Sequence, residues 1–181
     1  MAGAPSARVF FALWPEPALA TELAGMAGEL AKTFGGRPTR PETVHLTLAF
    51  LGDVPTARLP ELAALPRLAE AGPFTLSLDR LGFWPHNQLL WMGCREAPPL
   101  QALVDGLRRQ LAAAAFTVRE PGRAFFPHLT LVRKLTRGAL PELPRLAGAI
   151  DWPCAAFQLL ASTLSAAGPA YRRLALYRLD D

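Results

Sequence analysis

Two of the three histidines in the sequence lie in the same four-residue motif. His45 and His128 each begin the tetrapeptide His-Leu-Thr-Leu, whereas His86 stands in an unrelated context. In a β-strand, residues i and i+2 point to one face and residue i+1 points to the other. Each motif therefore predicts a strand that presents an imidazole and a threonine hydroxyl on one face and buries its leucines on the opposite face.

These side chains carry the groups that metal-free cleavage of a phosphodiester requires. A neutral imidazole takes a proton from water, and an imidazolium gives a proton to the departing alkoxide. The hydroxyls of Thr47 and Thr130 can donate hydrogen bonds to non-bridging phosphoryl oxygens, where charge is held during transfer. The residues alone leave the acid and base roles of His45 and His128 interchangeable.

The third histidine, the nearby carboxylates and the two cysteines give no sign of a further site. A lone histidine is usually solvated or hydrogen-bonded, and this is the interpretation for His86. Two histidines without a third His, Cys or carboxylate in either motif make a poor zinc site, although Glu42 and Asp53 lie near in the sequence. Cys94 and Cys154 have no CxxC spacing and are predicted to be buried thiols. We therefore expect no metal and no cofactor.

The two motifs belong to an internal repeat with an offset of 83 residues, which also carries Phe74 onto Phe157. A repeat of two units predicts a pseudo-symmetric pair of lobes, approximately residues 1–86 and 87–181, between which strands can be exchanged. If a pseudo-twofold axis relates the motif strands, both imidazoles point into one shared cleft.

Hydrophobic periodicity and turn residues predict alternating strands and helices. Strands are predicted at residues 8–13, 44–51, 74–81, 88–93, 128–133, 157–164 and 171–179. Helices are predicted at residues 17–32, 56–70, 98–115 and 140–147. No linker separates the halves, so we expect one compact unit.

Composition excludes several classes of protein. A hydrophobic fraction of 51% with 19% charged residues is typical of a globular chain and excludes disorder. No apolar run approaches the roughly 18 residues of a membrane span, and Pro15 ends the N-terminal apolar stretch too early for a signal peptide. We expect a cytoplasmic monomer without an obligate protein partner. The net charge of +4, carried mostly by arginine, suits an anionic substrate.

The paired motifs resemble the HxTx motifs of the 2H phosphoesterase superfamily. Within it, the flanking sequence is similar to the RNA 2′,3′-cyclic phosphodiesterase family, historically called 2′-5′ RNA ligases. The matching segments are RVFFAL (8–13), RPETVHLTLAFLG (40–52), FTLSLDRLGFW (74–84), LWMG (90–93), FPHLTLVR (126–133) and residues 171–179.

The resemblance implies an α+β fold of two pseudo-symmetric lobes, each a small antiparallel sheet backed by helices, with a central cleft. It implies metal-independent hydrolysis of RNA 2′,3′-cyclic phosphate ends, or of small nucleotide cyclic phosphates, to 2′-phosphomonoesters. It assigns His45 as the proton donor to the leaving 3′-oxygen and His128 as the proton acceptor that activates water.

Four further residues are candidate substrate contacts. The family pattern HLTLxR places an arginine at position 133, but strict alternation directs Arg133 away from the site unless a bulge or strand end lies near Val132. Arg40 and Arg123 flank the motifs and are candidate contacts to backbone phosphates. Phe126 stands where family members often carry arginine, and either stacks on a base or only packs.

Several alternatives stay open at this level. The same site can act on cyclic nucleotides or 2′-5′-linked oligonucleotides, join RNA ends in the reverse reaction, or bind RNA without turnover. The second intact motif argues against a binding module, because binding does not require two titrating residues.

Overall fold

The computed structural model describes residues 5–65, 72–119, 122–135, 143–165 and 168–179. Within these ranges the elements are, in chain order, β1 (Ser6–Leu13), α1 (Pro17–Phe34), β2 (Arg37–Pro38), β3 (Leu46–Pro55), α2 (Leu59–Ala64), β4 (Phe74–Leu78), β5 (Arg80–Trp84), β6 (Leu89–Gly93), α3 (Pro98–Ala113), β7 (His128–Arg133), β8 (Ile150–Cys154), β9 (Ala156–Ser165) and β10 (Gly168–Arg178). None of the helices in these ranges has the length and apolar character needed to cross a lipid bilayer.

The main sheet joins strands from both halves of the sequence. Its order is β10–β9–β1–β3–β7–β6–β5, and β2 pairs with β7 beyond the end of the β3 contact. The central strands β3 and β7 pair antiparallel at Leu46 and Leu129, so the two lobes of the sheet meet at the two motifs. The predicted α+β fold with antiparallel sheets is confirmed. The boundary between lobes at residues 86 and 87 stays a prediction.

The leucines of the motifs form the centre of the hydrophobic core. Leu46, Leu48, Leu129 and Leu131 are almost fully buried, and they share one cluster with the apolar faces of α1 and α3. Both helices begin at proline, whose fixed φ suits the first helical turn. Each helix contacts the motif strand of the other half of the sequence, since α1 contacts β7 and α3 contacts β3. Each motif strand is therefore supported by a helix from the other half of the chain.

The prediction of one continuous strand at residues 74–81 is wrong. The structure divides it at Asp79 into β4, which pairs with β8, and β5, which pairs with β6. Asp79 donates its N–H to the Gly93 carbonyl, and its carboxylate accepts a hydrogen bond from the N–H of Arg95. These bonds hold the chain at the bend between the two sheets.

Other boundaries also differ from the prediction. The helix predicted at residues 56–70 begins with a 3₁₀ turn and continues as α2, and residues 66–70 lie outside the described ranges. Of the helix predicted at residues 140–147, residues 143–147 are not helical and the remainder lies outside the described ranges. Strand β8 was not predicted because Pro153 breaks its pattern. Proline is tolerated there because β8 belongs to a two-stranded sheet and is an edge strand.

The two cysteines are buried thiols, as predicted. Both belong to the main core cluster, and burial raises the pKa of Cys154 to about 12. These thiols therefore stay protonated and act as small hydrophobic side chains.

The pairing of Leu46 with Leu129 predicts a large stability effect. Replacing Leu129 by alanine leaves a cavity in a fully buried position, and we expect the free energy of unfolding to fall by about 2–5 kcal/mol. Leu176→Ala is the matched control, because this leucine is 45% exposed. Urea denaturation measures both variants, and equal effects would contradict the central position of Leu129.

Candidate active site

The antiparallel register of β3 and β7 brings the four motif side chains to one face. Since Leu46 pairs with Leu129, one further step in each direction sets His45 opposite Thr130 and Thr47 opposite His128. All four side chains are half-buried, whereas the leucines between them are buried. In such a register the two histidines are diagonal neighbours, about 7–8 Å apart at the backbone.

Both imidazoles are oriented by the same hydrogen bond. Nδ1 of His45 lies 2.8 Å from the carbonyl oxygen of Thr43, and Nδ1 of His128 lies 2.8 Å from the carbonyl oxygen of Phe126. A carbonyl oxygen only accepts, so Nδ1 of each ring carries the proton that is donated. In the neutral state each Nε2 is therefore a proton acceptor, and in the charged state it becomes a donor.

Each motif ends in a β-bulge at its last leucine. Leu48 is the extra residue of β3 against β1, and Leu131 is the extra residue of β7 against β6. Each bulge reverses the alternation, so two consecutive residues are buried and the next one returns to the side of the histidines. The returning residues are Phe50 in the first copy and Arg133 in the second.

The bulge determines the direction of the Arg133 side chain. Its Nη2 donates to the hydroxyl oxygen of Thr130 at 3.3 Å, and its side chain lines a cavity together with His45. Its positive charge also lowers the pKa of both histidines, although burial is the larger cause. The structure thus brings Arg133 to the same face as the motif side chains.

Two cavities flank the central pair of strands, and each contains one histidine and the threonine of the other motif. The first has a volume of about 400 Å³ and contains His45 and Thr130. The second has a volume of about 310 Å³ and contains His128 and Thr47. This crosswise combination follows directly from the antiparallel register.

His45 is enclosed by aromatic side chains. The indole of Trp14 stacks on the imidazole with ring centres 5.3 Å apart, and Phe10 and Tyr171 approach at 5.1 and 5.2 Å. Removal from water lowers the pKa of His45 to about 4, although the hydrogen bond to Thr43 favours the charged form. In the ligand-free protein this ring is therefore neutral at pH 7.

His128 has a different aromatic neighbour. The edge-on ring of Trp84 lies 4.6 Å from the imidazole, measured between ring centres, and Phe126 lies at 6.2 Å. Burial also lowers the pKa of His128, with smaller contributions from Arg133 and Arg123, and the hydrogen bond to Phe126 opposes the shift.

Comparison with known proteins gives the family. A sequence model of the LigT like phosphoesterases matches residues 13–91. The RNA 2′,3′-cyclic phosphodiesterase of Thermus thermophilus is 32% identical over 95% of this chain and 90% of its own length. This chain belongs to the LigT-like phosphoesterase family. The resemblance predicted from the two motifs is thereby confirmed, and the chain is a hydrolase of phosphodiester bonds.

Other members of the LigT-like family agree in sequence and structure. The RNA 2′,3′-cyclic phosphodiesterase of Escherichia coli is 33% identical over 80% of both chains. The crystal structure of E. coli LigT complexed with 3′-AMP superposes with a TM-score of 0.83 at 28% identity, covering 98% of this chain and 100% of that one.

The remaining predicted contacts of this LigT-like chain line the two cavities. Arg40 is exposed in the first cavity, and its Nη2 donates to the carbonyl of Pro169 at 3.3 Å. Arg123 and Phe126 line the second cavity. The Phe126 ring contacts Trp84 and Trp91 edge-on or tilted, so packing is an observed role. Contact of any of these residues with substrate stays a prediction.

Three residues of the site were not predicted. They are Trp14, Tyr171 and Phe50. Trp14 follows β1 and Tyr171 lies on β10, so only the strand order brings them to His45. Phe50 does carry a signal, since the 83-residue offset aligns it with Arg133. His86 is exposed and lies beside Trp84 at the second cavity.

The enclosure of His45 predicts its protonation state in solution. Because its pKa is lowered to about 4, we expect a neutral ring with the proton on Nδ1 at about pH 5.5, where a histidine of ordinary pKa is mostly charged. The unfolded chain takes up this proton at higher pH than the folded chain, so His45 lowers stability as the pH falls from about 6.5 to about 4.

Long-range ¹H–¹⁵N correlation spectra of the ligand-free protein measure both charge and tautomer, and His45→Gln assigns the signal. A charged His45 ring at this pH, or a neutral ring with its proton on Nε2, would contradict the enclosure described above.

Proposed function

We propose that this chain hydrolyses RNA 2′,3′-cyclic phosphate ends to 2′-phosphomonoesters by general acid–base catalysis with its two motif histidines and without a metal ion. The observation that carries this proposal is the crosswise arrangement of His45 with Thr130 and of His128 with Thr47 on one face. Relatives named RNA 2′,3′-cyclic phosphodiesterase support the substrate class, as does the relative crystallised with 3′-AMP.

The proposed binding of the phosphoryl group uses donors from both motifs. The hydroxyls of Thr47 and Thr130 donate to its non-bridging oxygens from opposite sides. The Thr130 oxygen already accepts from Arg133, so its own proton is available for the substrate. The Arg133 guanidinium adds a positive charge on the Thr130 side, where it stabilises the negative charge of the transition state.

The proposed proton transfers depend on the substrate. Without ligand both histidines have lowered pKa values, and His45 is neutral at pH 7. An anionic phosphodiester favours the imidazolium form, so a proton is taken up when the substrate binds. His45 then donates it to the leaving 3′-oxygen, while Nε2 of His128 accepts a proton from the attacking water. The assignment of these two roles follows the family resemblance.

The metal-free mechanism has support from the side chains present. Among the residues that the structure describes, no group of three or more His, Cys, Asp and Glu side chains lies close enough together to hold a metal ion. The two histidines are instead held by backbone carbonyls through Nδ1, which leaves Nε2 of each ring for the substrate.

A short RNA ending in a 2′,3′-cyclic phosphate provides the test of the proposed function. We expect complete conversion to a 2′-phosphate end in the presence of EDTA, identified by ³¹P NMR of the product. A 3′-phosphate product would place the leaving group on the other oxygen. No hydrolysis, or hydrolysis abolished by EDTA and restored by zinc or manganese, would contradict the proposal.

A substrate with sulfur in place of the 3′-oxygen tests the two histidine roles separately. Since a thiolate leaves without protonation, His45→Ala should lose about 10² to 10⁴ of rate on the oxygen substrate but much less on the sulfur substrate. His128→Ala should lose a similar factor on both. Rescue of His128→Ala instead of His45→Ala would reverse the roles, and normal rates for either variant would remove its role; circular dichroism checks that each variant is folded.

A further inference from the structure

The first cavity carries more positive charge than one phosphoryl group requires. Its charged lining residues are Arg37, Arg40, Arg133 and Lys134, and none of the described residues that line it carries a carboxylate. Within the described part of the chain, the observed salt bridges involve none of these four cations. Arg133 serves the reaction centre through Thr130, and Arg40 donates to a backbone carbonyl. Arg37 and Lys134 are left without a protein partner in this part of the structure.

The fold places two of these cations at paired positions on neighbouring strands. Arg37 on β2 is paired with Arg133 on β7, and like charges in opposed positions on neighbouring strands repel. The close approach depends on Gly36, whose φ is +98° and at which a Cβ would lie 2.8 Å from the Arg133 carbonyl oxygen. An anion bound by both guanidinium groups would replace this repulsion by attraction.

Lys134 has an unfavourable backbone conformation. Its φ is +54°, in the left-handed region that side chains other than Asn, Asp and Gly rarely adopt. The conformation is held because Leu135, which follows, is buried and donates its N–H to the carbonyl of Gln88. It places Lys134 at the first cavity immediately beyond Arg133. Strained residues of this kind are concentrated at ligand-binding sites.

The second cavity differs in character. Arg108 there donates to the carbonyl of Arg123 and lies over the ring of Phe125. Its walls also include Arg119 and Arg123, together with Phe50, Trp84 and other aromatic side chains that can stack on a nucleoside. Both sides of the reaction centre are thus cationic; the second also has several aromatic walls, whereas Arg37 and Lys134 of the first lack a protein partner among the described residues.

We propose that Arg37 and Lys134 form a second phosphate-binding subsite, which holds the phosphodiester immediately 5′ of the terminal cyclic phosphate. This inference rests on the proposed function, because it places the reacting phosphate between the two motif strands. The subsite makes the chain an enzyme for oligonucleotide ends in preference to free cyclic mononucleotides. At the rim of the same cavity, Leu164 is 66% exposed and offers an apolar surface to the base of the upstream nucleotide.

Three substrates distinguish the effect of the charge on the upstream phosphate from the effect of the upstream nucleotide itself. They are adenosine 2′,3′-cyclic phosphate, the dinucleotide ApA with a 2′,3′-cyclic phosphate end, and the same dinucleotide with a neutral methylphosphonate linkage. We expect kcat/KM of the charged dinucleotide to exceed that of the methylphosphonate by about tenfold, as for a partly exposed charge-assisted contact. Its dependence on log salt should be steeper by about 0.7, the value for one phosphate of a single strand.

Variants then assign the effect to the two residues. Arg37→Gln combined with Lys134→Gln should bring the ratio of charged to neutral dinucleotide close to one. Arg178→Gln combined with Lys32→Gln also removes two positive charges, but at residues that do not line the first cavity, and should leave the ratio as in the wild type.

Each outcome is decisive. Equal kcat/KM for the charged and neutral dinucleotides in the wild type would overturn the subsite while leaving the proposed function intact, since both are hydrolysed. A double variant that keeps the full ratio would overturn the assignment to Arg37 and Lys134. Hydrolysis of none of the three substrates would overturn the proposed function and the subsite together. The wild-type comparison stands even if the double variant does not fold.

Discussion

The antiparallel pairing of Leu46 with Leu129 is the constraint on which the site depends. This register sets each histidine opposite the threonine of the other motif. A shift of one residue would bury the imidazoles and hydroxyls and expose leucines that now lie in the core. Burial of each leucine is favourable by about 1.5–3 kcal/mol, so the hydrophobic core itself holds the register that the chemistry needs.

The two motif strands are equivalent by pseudo-symmetry, and residue differences between the two copies make the site asymmetric. Both histidines donate from Nδ1 to the carbonyl two residues earlier, and both motifs end in a bulge at the equivalent leucine. The residue that each bulge returns to the site is Phe50 in one copy and Arg133 in the other. The two copies thereby differ, because an aromatic side chain is returned to the second cavity and an arginine to the first.

The local pattern of the motifs was predictable because it depends on strand alternation alone. The half-buried His and Thr and the buried Leu follow from that period, and the family pattern indicated the bulge that Arg133 needs. The division of residues 74–81 between two sheets was not predictable, because hydrogen bonds of Asp79 to Gly93 and Arg95 cause it.

Contacts between residues that lie far apart in the sequence were also not predictable. Trp14 and Tyr171 enclose His45 because β9 lies beside β1 and β10 lies beside β9, and hydrophobic periodicity does not encode strand order. The repeat indicated two related halves, and it did not indicate that β5 would join β6 while β9 joined β1. The electrostatic state of His45 depends on this enclosure, so it too required the structure.

The central claim is that one phosphoryl group is held between the two imidazoles. A crystal structure of the protein with a bound nucleoside 2′-phosphate tests it most directly. The account predicts that Nε2 of His45 and Nε2 of His128 both lie within about 3.2 Å of oxygens on the same phosphorus. A phosphate bound by one histidine alone, with the other ring turned away from it, would contradict the account.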